Sequence, residues 1–283
     1  MPVGLYVRPS MSETLLEHQT LIRGCVFFGV LIAMSILEAM FPKKKRTQAR
    51  QKRWPTNLSI IILDTVLSRL ASPFVALAIT ALAGTQNWGL FNILSLPIAL
   101  EIILCMALLD MAIYWQHVAF HKIPVLWSLH KVHHVDRDID ASTGVRFHPI
   151  EIVLSMIYKA LIILILGAPL IAVFLFEVIL NASAIFNHAN LKLPKRVDQF
   201  VRFFFVTPDM HRVHHSIIQR ETNSNYGFNL SLWDRIFQSY IPQPQMGHQG
   251  MIIGLESHQS DKPSSLWWSL TLPFHKTVDK NED

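Results

Sequence analysis

Long apolar stretches organise this chain, and their lengths can be set against the ~20 residues a helix needs to cross a bilayer core. Residues 21–41 meet that length and predict a first spanning helix. Residues 57–83 predict a second, although Asp64 and Arg69 interrupt it and should pair on an interior face or sit near the interface. A third runs from 93 to about 115 and delivers His117 and His121 to its far side. The stretch from His148 to His188 is broken at Gly167, Ala168 and Pro169, and its length suits two helices of about 19 residues that enter the membrane and return. That hairpin should bring His188 back to the face that carries His117 to His148. From Lys192 onward no further span is expected, and Trp267, Trp268 and Phe274 suggest either a segment resting on the membrane surface or a simple packed tail.

Composition supports this reading. Of the 283 residues 51% are hydrophobic and only 16% charged, against about 25% charged in ordinary soluble domains. The basic run Lys43, Lys44, Lys45, Arg46, Arg50, Lys52 and Arg53 could form a nucleic-acid patch, but its place between two apolar stretches fits the positive-inside rule better. The loop is therefore expected to be cytoplasmic, with no nucleic-acid partner. No cleavable signal peptide is expected, because Glu13, Glu17 and His18 precede the first apolar run and no A-x-A site follows it. Cys25 and Cys105 both fall in apolar stretches and read as reduced packing residues.

Against this apolar background stand 14 histidines. Eight form three groups: His117 and His121; His130, His133 and His134; His211, His214 and His215. On a helix the positions i, i+3 and i+4 share a face, so each group should aim its imidazoles toward one point. A lone pair at this spacing is usually a polar helix face. Three such groups at one membrane face are better explained by metal, and eight ligands exceed what one ion takes, so two ions are expected. Imidazole suits iron, zinc, copper and nickel alike.

These residues resemble the fatty acid hydroxylase and sterol desaturase superfamily, integral membrane non-haem di-iron oxygenases. The likeness rests on the three histidine groups in order and on what surrounds them. Asp110, Tyr114 and Trp115 precede the first group, Leu126 and Trp127 lead into the second, and Arg146, Phe147, His148, Pro149 and Glu151 follow it. Further on come Asn187 to Asn190, then Thr207 and Pro208, then Asn225 to Gly227, then Leu232 to Phe237. The resemblance covers roughly residues 57–240, expected to be the catalytic domain, with 1–56 an N-terminal membrane segment and basic loop and 241–283 an interfacial tail. It implies an all-α integral membrane protein of four to five membrane-embedded helices, with a cytoplasmic helical cap holding a dimetal histidine site.

By the same resemblance, His117, His121, His130, His133, His134, His211, His214 and His215 are metal ligands, and His188 matches a further ligand position. Many long-chain lipid hydroxylases have another histidine four residues earlier; Ala184 stands there instead, which leaves the assignment to that subgroup open. His148 is a ligand, a support for one, or a turn residue before Pro149. Asp110, Glu151 and Asp209 are candidates to accept a hydrogen bond from the second N–H of a metal-bound imidazole, or are simply capping or solvated carboxylates. Asp136, Arg137, Asp138 and Asp140 read as a solvated loop, Asn225 and Tyr226 as part of a turn, and Trp233 and Phe237 as core. His18, His248, His258 and His275 read as surface residues.

The resemblance implies two iron ions that use O2 to hydroxylate or desaturate a C–H bond of a membrane lipid, whether fatty acyl, sterol or ether lipid. No dinucleotide fingerprint or haem-attachment motif occurs in the sequence. Electrons are thus expected from a separate donor: a ferredoxin, a cytochrome b5-like protein or a diffusible reductant. A zinc-dependent membrane hydrolase would require a carboxylate within the histidine motif, which is absent. A bis-histidine cytochrome would place its ligands within the spans, and a metal transporter near the bilayer midplane. A non-enzymatic metal-binding membrane protein stays open on sequence grounds.

Overall fold

The computed structural model describes residues 14–15, 17–83 and 88–275. Among the described residues five helices are long and apolar enough to cross a membrane: α1 (Gln19–Met40), α2 (Arg50–Ala83), α3 (Ile98–Lys122), α5 (Pro149–Leu166) and α6 (Leu170–His188). Between α3 and α5 lies α4 (Pro124–His134); beyond α6 come α7 (Lys195–Phe204), α8 (Pro208–His214) and several shorter turns, including Leu232–Ile236 and Leu266–Thr271. There is no β-strand among the described residues, only isolated bridges. The protein is an all-α integral membrane protein. Its long helices carry bulky apolar residues on their outer faces, such as Phe28, Ile62, Phe74 and Ile103, as expected where the surroundings are lipid.

Packing is α1 on α6, α2 on α5, and α3 between α5 and α6. The apolar core beneath the histidines comprises Phe91, Cys105, Leu109, Ile113, Leu166, Ala172 and Phe176. The hairpin turns where expected: Gly167 closes α5 in the left-handed conformation (φ 61°), and Pro169 caps α6. Gly89 packs directly on this turn, so that a Cβ at Gly167 would come within 2.8 Å of the Trp88 carbonyl.

The third span differs from expectation. It begins at Ile98, since Pro97 supplies its N-cap, and residues 90–93 form a separate short turn. It continues through His117 and His121 to Lys122 and ends only because Pro124 pushes Ile123 into the extended region (φ −97°, ψ 116°). His117 and His121 therefore lie on the spanning helix itself. Likewise α2 begins at Arg50, ahead of the expected 57. Asp64 and Arg69 do not pair: Asp64 is buried, whereas Arg69 faces outward.

The connection after α1, the α3–α5 connection and the chain after α6 gather at one end. There the Lys43 amide donates to the Asn190 carbonyl (3.0 Å) and the Lys192 amide to that of Phe41 (2.8 Å). The aspartates expected in solvent are in fact buried. Arg53, on α2, donates to Asp136 (2.6 Å) and to Asp140 (2.7 Å), and Asp138 accepts from the amides of Thr47 and Gln48. Part of the basic run is thus committed to holding the cap on the spans. Burial alone would raise the Asp136 carboxyl, but Arg53, and then Arg146, draw it down to about 2.

Candidate metal centre

Nine imidazoles from four helices converge at this end of the bundle. They form two groups: His117, His121, His130, His134 and His214 in one, and His133, His188, His211 and His215 in the other, with the candidate ligand atoms of each group within 4.8 Å of one another. Each three-histidine motif is divided between the two, which corrects the expectation that each aims at a single point. On α4 the i, i+4 pair His130 and His134 serves the first group, while His133 turns to the second. At α8 the pair His211 and His215 serves the second group, while His214 turns to the first. A helix advances about 100° per residue, so i and i+4 stay aligned while i+3 points to the neighbouring side. Where the groups meet, the rings of His134 and His215 stack with centroids 4.5 Å apart.

Hydrogen bonds fix the tautomers. The Nδ1–H of His117 donates to the Tyr226 carbonyl (2.8 Å), that of His133 to Arg146 (3.1 Å), that of His188 to Ala184 (2.6 Å) and that of His214 to Ser224 (2.7 Å). His130 Nδ1 hydrogen-bonds the Glu151 carboxyl (2.7 Å). A carbonyl only accepts, so in His117, His133, His188 and His214 the proton sits on Nδ1 and Nε2 presents a lone pair. The lone pairs of His133 and His188 face one another at 3.0 Å, and that of His117 faces the His130 Nε2 at 3.2 Å. His121, His134 and His215 are buried or nearly so with neither ring nitrogen hydrogen-bonded. Opposed acceptors in a dry interior repel unless a cation lies among them, and the donor set is all imidazole. The residues fit a pair of first-row transition-metal ions.

Electrostatics keep the ligands neutral. Burial holds His130 down at about 3. Burial first, and neighbouring imidazoles second, hold His133, His134, His211 and His215 well below the usual range. A neutral imidazole is the form that binds metal. Aromatic rings line the cluster: Phe147 stacks on His133 (4.5 Å), Trp127 lies against His121 (5.0 Å), and Tyr226 and Phe228 flank His117 (5.5 and 5.2 Å).

Of the remaining candidates only Glu151 touches a clustered histidine. Asp110 lies apart from His117's hydrogen-bonding partner; it accepts from Asn229, Leu230 and Trp233. Asp209 pairs with Arg212 (2.6 Å) and Lys43. His148 belongs to neither group; as N-cap of α5 it accepts from the Ile150 amide, and its Nε2 donates to the Leu270 carbonyl (3.1 Å). His248, expected at the surface, is buried beside Asp209, and His258 packs half-buried against Trp268. His18 and His275 are exposed. Trp233 and Phe237 are only partly buried. Asn225 holds its turn at φ 50° and clamps the Met210 and Ile241 carbonyls. The carbonyls of Ala184, Ser224 and Tyr226 leave no trace in a sequence, since any residue supplies one.

The fatty acid hydroxylase family matches residues 102–239, which hold all nine clustered histidines. Residues 102–239 are thus a fatty acid hydroxylase domain. Ornithine lipid hydroxylase OlsE of Rhizobium tropici is 25% identical over 226 residues, covering 78% of this chain and 67% of that protein. Human alkylglycerol monooxygenase is 28% identical over 182 residues (62% and 38%), and human lathosterol oxidase 28% over 182 residues (64% and 57%). The chain thus covers less than two thirds of the length of the two human relatives. No solved structure matches it significantly.

Proposed function

We propose that this protein is an O2-dependent membrane oxidoreductase that hydroxylates or desaturates a lipid C–H bond at a pair of iron ions. The observation that carries the proposal is the set of opposed, proton-free Nε2 atoms in two adjoining all-imidazole groups. His117, His121, His130, His134 and His214 would hold one ion and His133, His188, His211 and His215 the other. Bound iron would supply the O2 chemistry that side chains lack.

The chain's own residues do the rest. Glu151 and the carbonyls of Tyr226, Arg146, Ala184 and Ser224 would each accept a hydrogen bond from an Nδ1–H and so aim the opposite nitrogen. Phe228 stands between the histidines and the apolar core of α3, α5 and α6, so a lipid chain approaching from the bilayer meets His117 and His211 past this ring. A cavity of about 220 Å³, lined by His121, Trp127, Thr222, Asn223 and Leu255 among others, gives small molecules an approach to His121. The relatives named as hydroxylases of ornithine lipid and monooxygenases of alkylglycerols favour a glycerol-type or amino-acid lipid substrate. We place the histidine face in the cytoplasm because the basic run follows α1 on that side. An electron donor separate from this chain completes the reading.

Metal counting on protein purified under reducing conditions tests it, together with lipid mass spectrometry of cells with and without the gene. Two irons per chain, a product richer by one oxygen or poorer by two hydrogens, and loss of both iron and product in His214→Ala are expected. An iron-free protein, or a fully active His214→Ala variant, refutes it.

A further inference from the structure

Helix α7 is built inside out. Of its charged residues, Lys195 and Arg196 in the first turn are exposed, whereas Asp198 and Arg202 are buried and paired with each other (2.8 Å), and Arg202 also donates to the Pro242 carbonyl (2.8 Å). Its apolar residues point away from the protein: Phe200 is 70% exposed and Phe203 67%, and Val197, Phe204 and the following Phe205 are also exposed. On a helical wheel that apolar face lies opposite the Asp198–Arg202 face. A cap helix facing water would have the reverse arrangement, and an uncovered aromatic face of this kind marks an interaction surface.

Three observations identify what covers it. First, α7 begins only seven residues after the membrane helix α6 ends. Second, the chain that follows it dips to bilayer depth. The Ser231 amide donates to the Phe204 carbonyl (3.0 Å) and the Val206 amide to that of Asn229 (2.9 Å). Asn229, Leu230 and Trp233 in turn donate to Asp110 on α3. Asp110 lies seven residues before His117, about 10 Å further into the membrane along the helix axis. Third, the apolar surface is continuous with the lipid-facing side of α3. Leu232 and Ile236 are exposed beside it, as is Trp115 of α3, whose ring meets Phe237 at 4.7 Å. Polar groups in this ledge turn inward: the Ser231 hydroxyl donates to the Arg202 carbonyl (2.8 Å), and Arg235 to Ser231 and Arg202. That is the condition for irregular backbone to persist at membrane depth.

We propose that α7 and the 229–237 segment form a ledge inserted in the plane of the near leaflet. Phe200, Phe203, Phe204 and Phe205 lie among the acyl chains, and the exposed Lys192, Lys195 and Arg196 meet anionic phospholipid headgroups. The ledge fixes how deeply the histidine end sits over the bilayer, and it does so whether or not metal is bound.

Site-directed spin labelling of the full chain tests this. In a Cys25→Ser, Cys105→Ser background, labels are placed through Phe200→Cys, Phe203→Cys, Lys195→Cys and Gln199→Cys, in vesicles of phosphatidylcholine and phosphatidylglycerol. Labels at Phe200 and Phe203 should be more accessible to O2 than to a water-soluble nickel chelate, at a depth of about 5–10 Å into the headgroup and acyl boundary. Labels at Lys195 and Gln199 should show the opposite ratio. If Phe200 and Phe203 are as open to the nickel chelate as Gln199, or if dipolar broadening shows them against a second copy, the proposal fails. Spectra of the four variants after metal chelation should be unchanged, which separates this ledge from the metal centre.

Discussion

Replacing Arg53 with Met tests the assignment of the aspartate cluster as a cap-to-span fastening. Arg53 is 1% exposed and binds Asp136 through two nitrogens (2.6 Å each) and Asp140 through a third (2.7 Å). The Asp136 carboxyl is held at about 2 against 3.8 unperturbed, which is about 2.5 kcal/mol of preference for the charged form. This contribution is fully present above the unfolded value and is lost as pH falls through the folded one. Methionine preserves much of the volume but leaves two buried carboxylates without their cation, a change that typically costs about 3–5 kcal/mol. For a chain of this size that is an apparent melting temperature lower by roughly 10 °C. The assay is tryptophan fluorescence during heating in lipid nanodiscs at pH 7 and again at pH 5. In the variant, burial without the cation raises the Asp136 carboxyl, so acidification neutralises it and the deficit shrinks at pH 5. An unchanged melting temperature at pH 7, or a deficit that grows on acidification, would refute the reasoning.

Glu151→Ala should weaken iron binding about 10- to 100-fold by freeing the His130 ring, with Glu151→Gln milder because it keeps an acceptor; competition with a chelator measures both. Gly167→Val should destabilise the hairpin by about 1–2 kcal/mol or more, since φ 61° is costly for any residue with a Cβ, and the same melting assay reads it. Stripping the metal should lower the melting temperature, because an ion that binds only the folded state stabilises it by mass action, about 4 kcal/mol at a thousand times its dissociation constant. Equal melting of stripped and loaded protein would count against a resident metal.

What the sequence disclosed depended on how local each signal was. The histidine groups were legible because helical spacing alone brings i and i+4 together, and the hairpin because Gly167 and Pro169 punctuate an otherwise apolar stretch. The division of each motif between two groups was implicit in the odd i+3 histidine. Glu151 stood out only as one of several carboxylates; its distinction from Asp110 and Asp209 is purely spatial. Asp136, Asp138 and Asp140 look like a solvated cluster locally, because the cation that buries two of them is 83 residues away from Asp136. The third span ran past its expected end because His117 and His121, polar in sequence, turn into the histidine group inside the protein. The outward face of α7 could not be read at all: apolar periodicity locates a face without saying which way it turns.

The division of α4 and α8 between the two histidine groups also bears on how such a centre can be lost or gained. Deleting the motif on α4 removes two donors from one group and one from the other; deleting the motif after Thr207 does the reverse. Neither three-histidine motif can be erased without damaging both sites, whereas the His117–His121 pair on α3 and His188 on α6 each belong to one site alone. A lineage that lost either three-histidine motif would weaken both positions together, and a designer wishing to empty one site alone would start from α3 or α6.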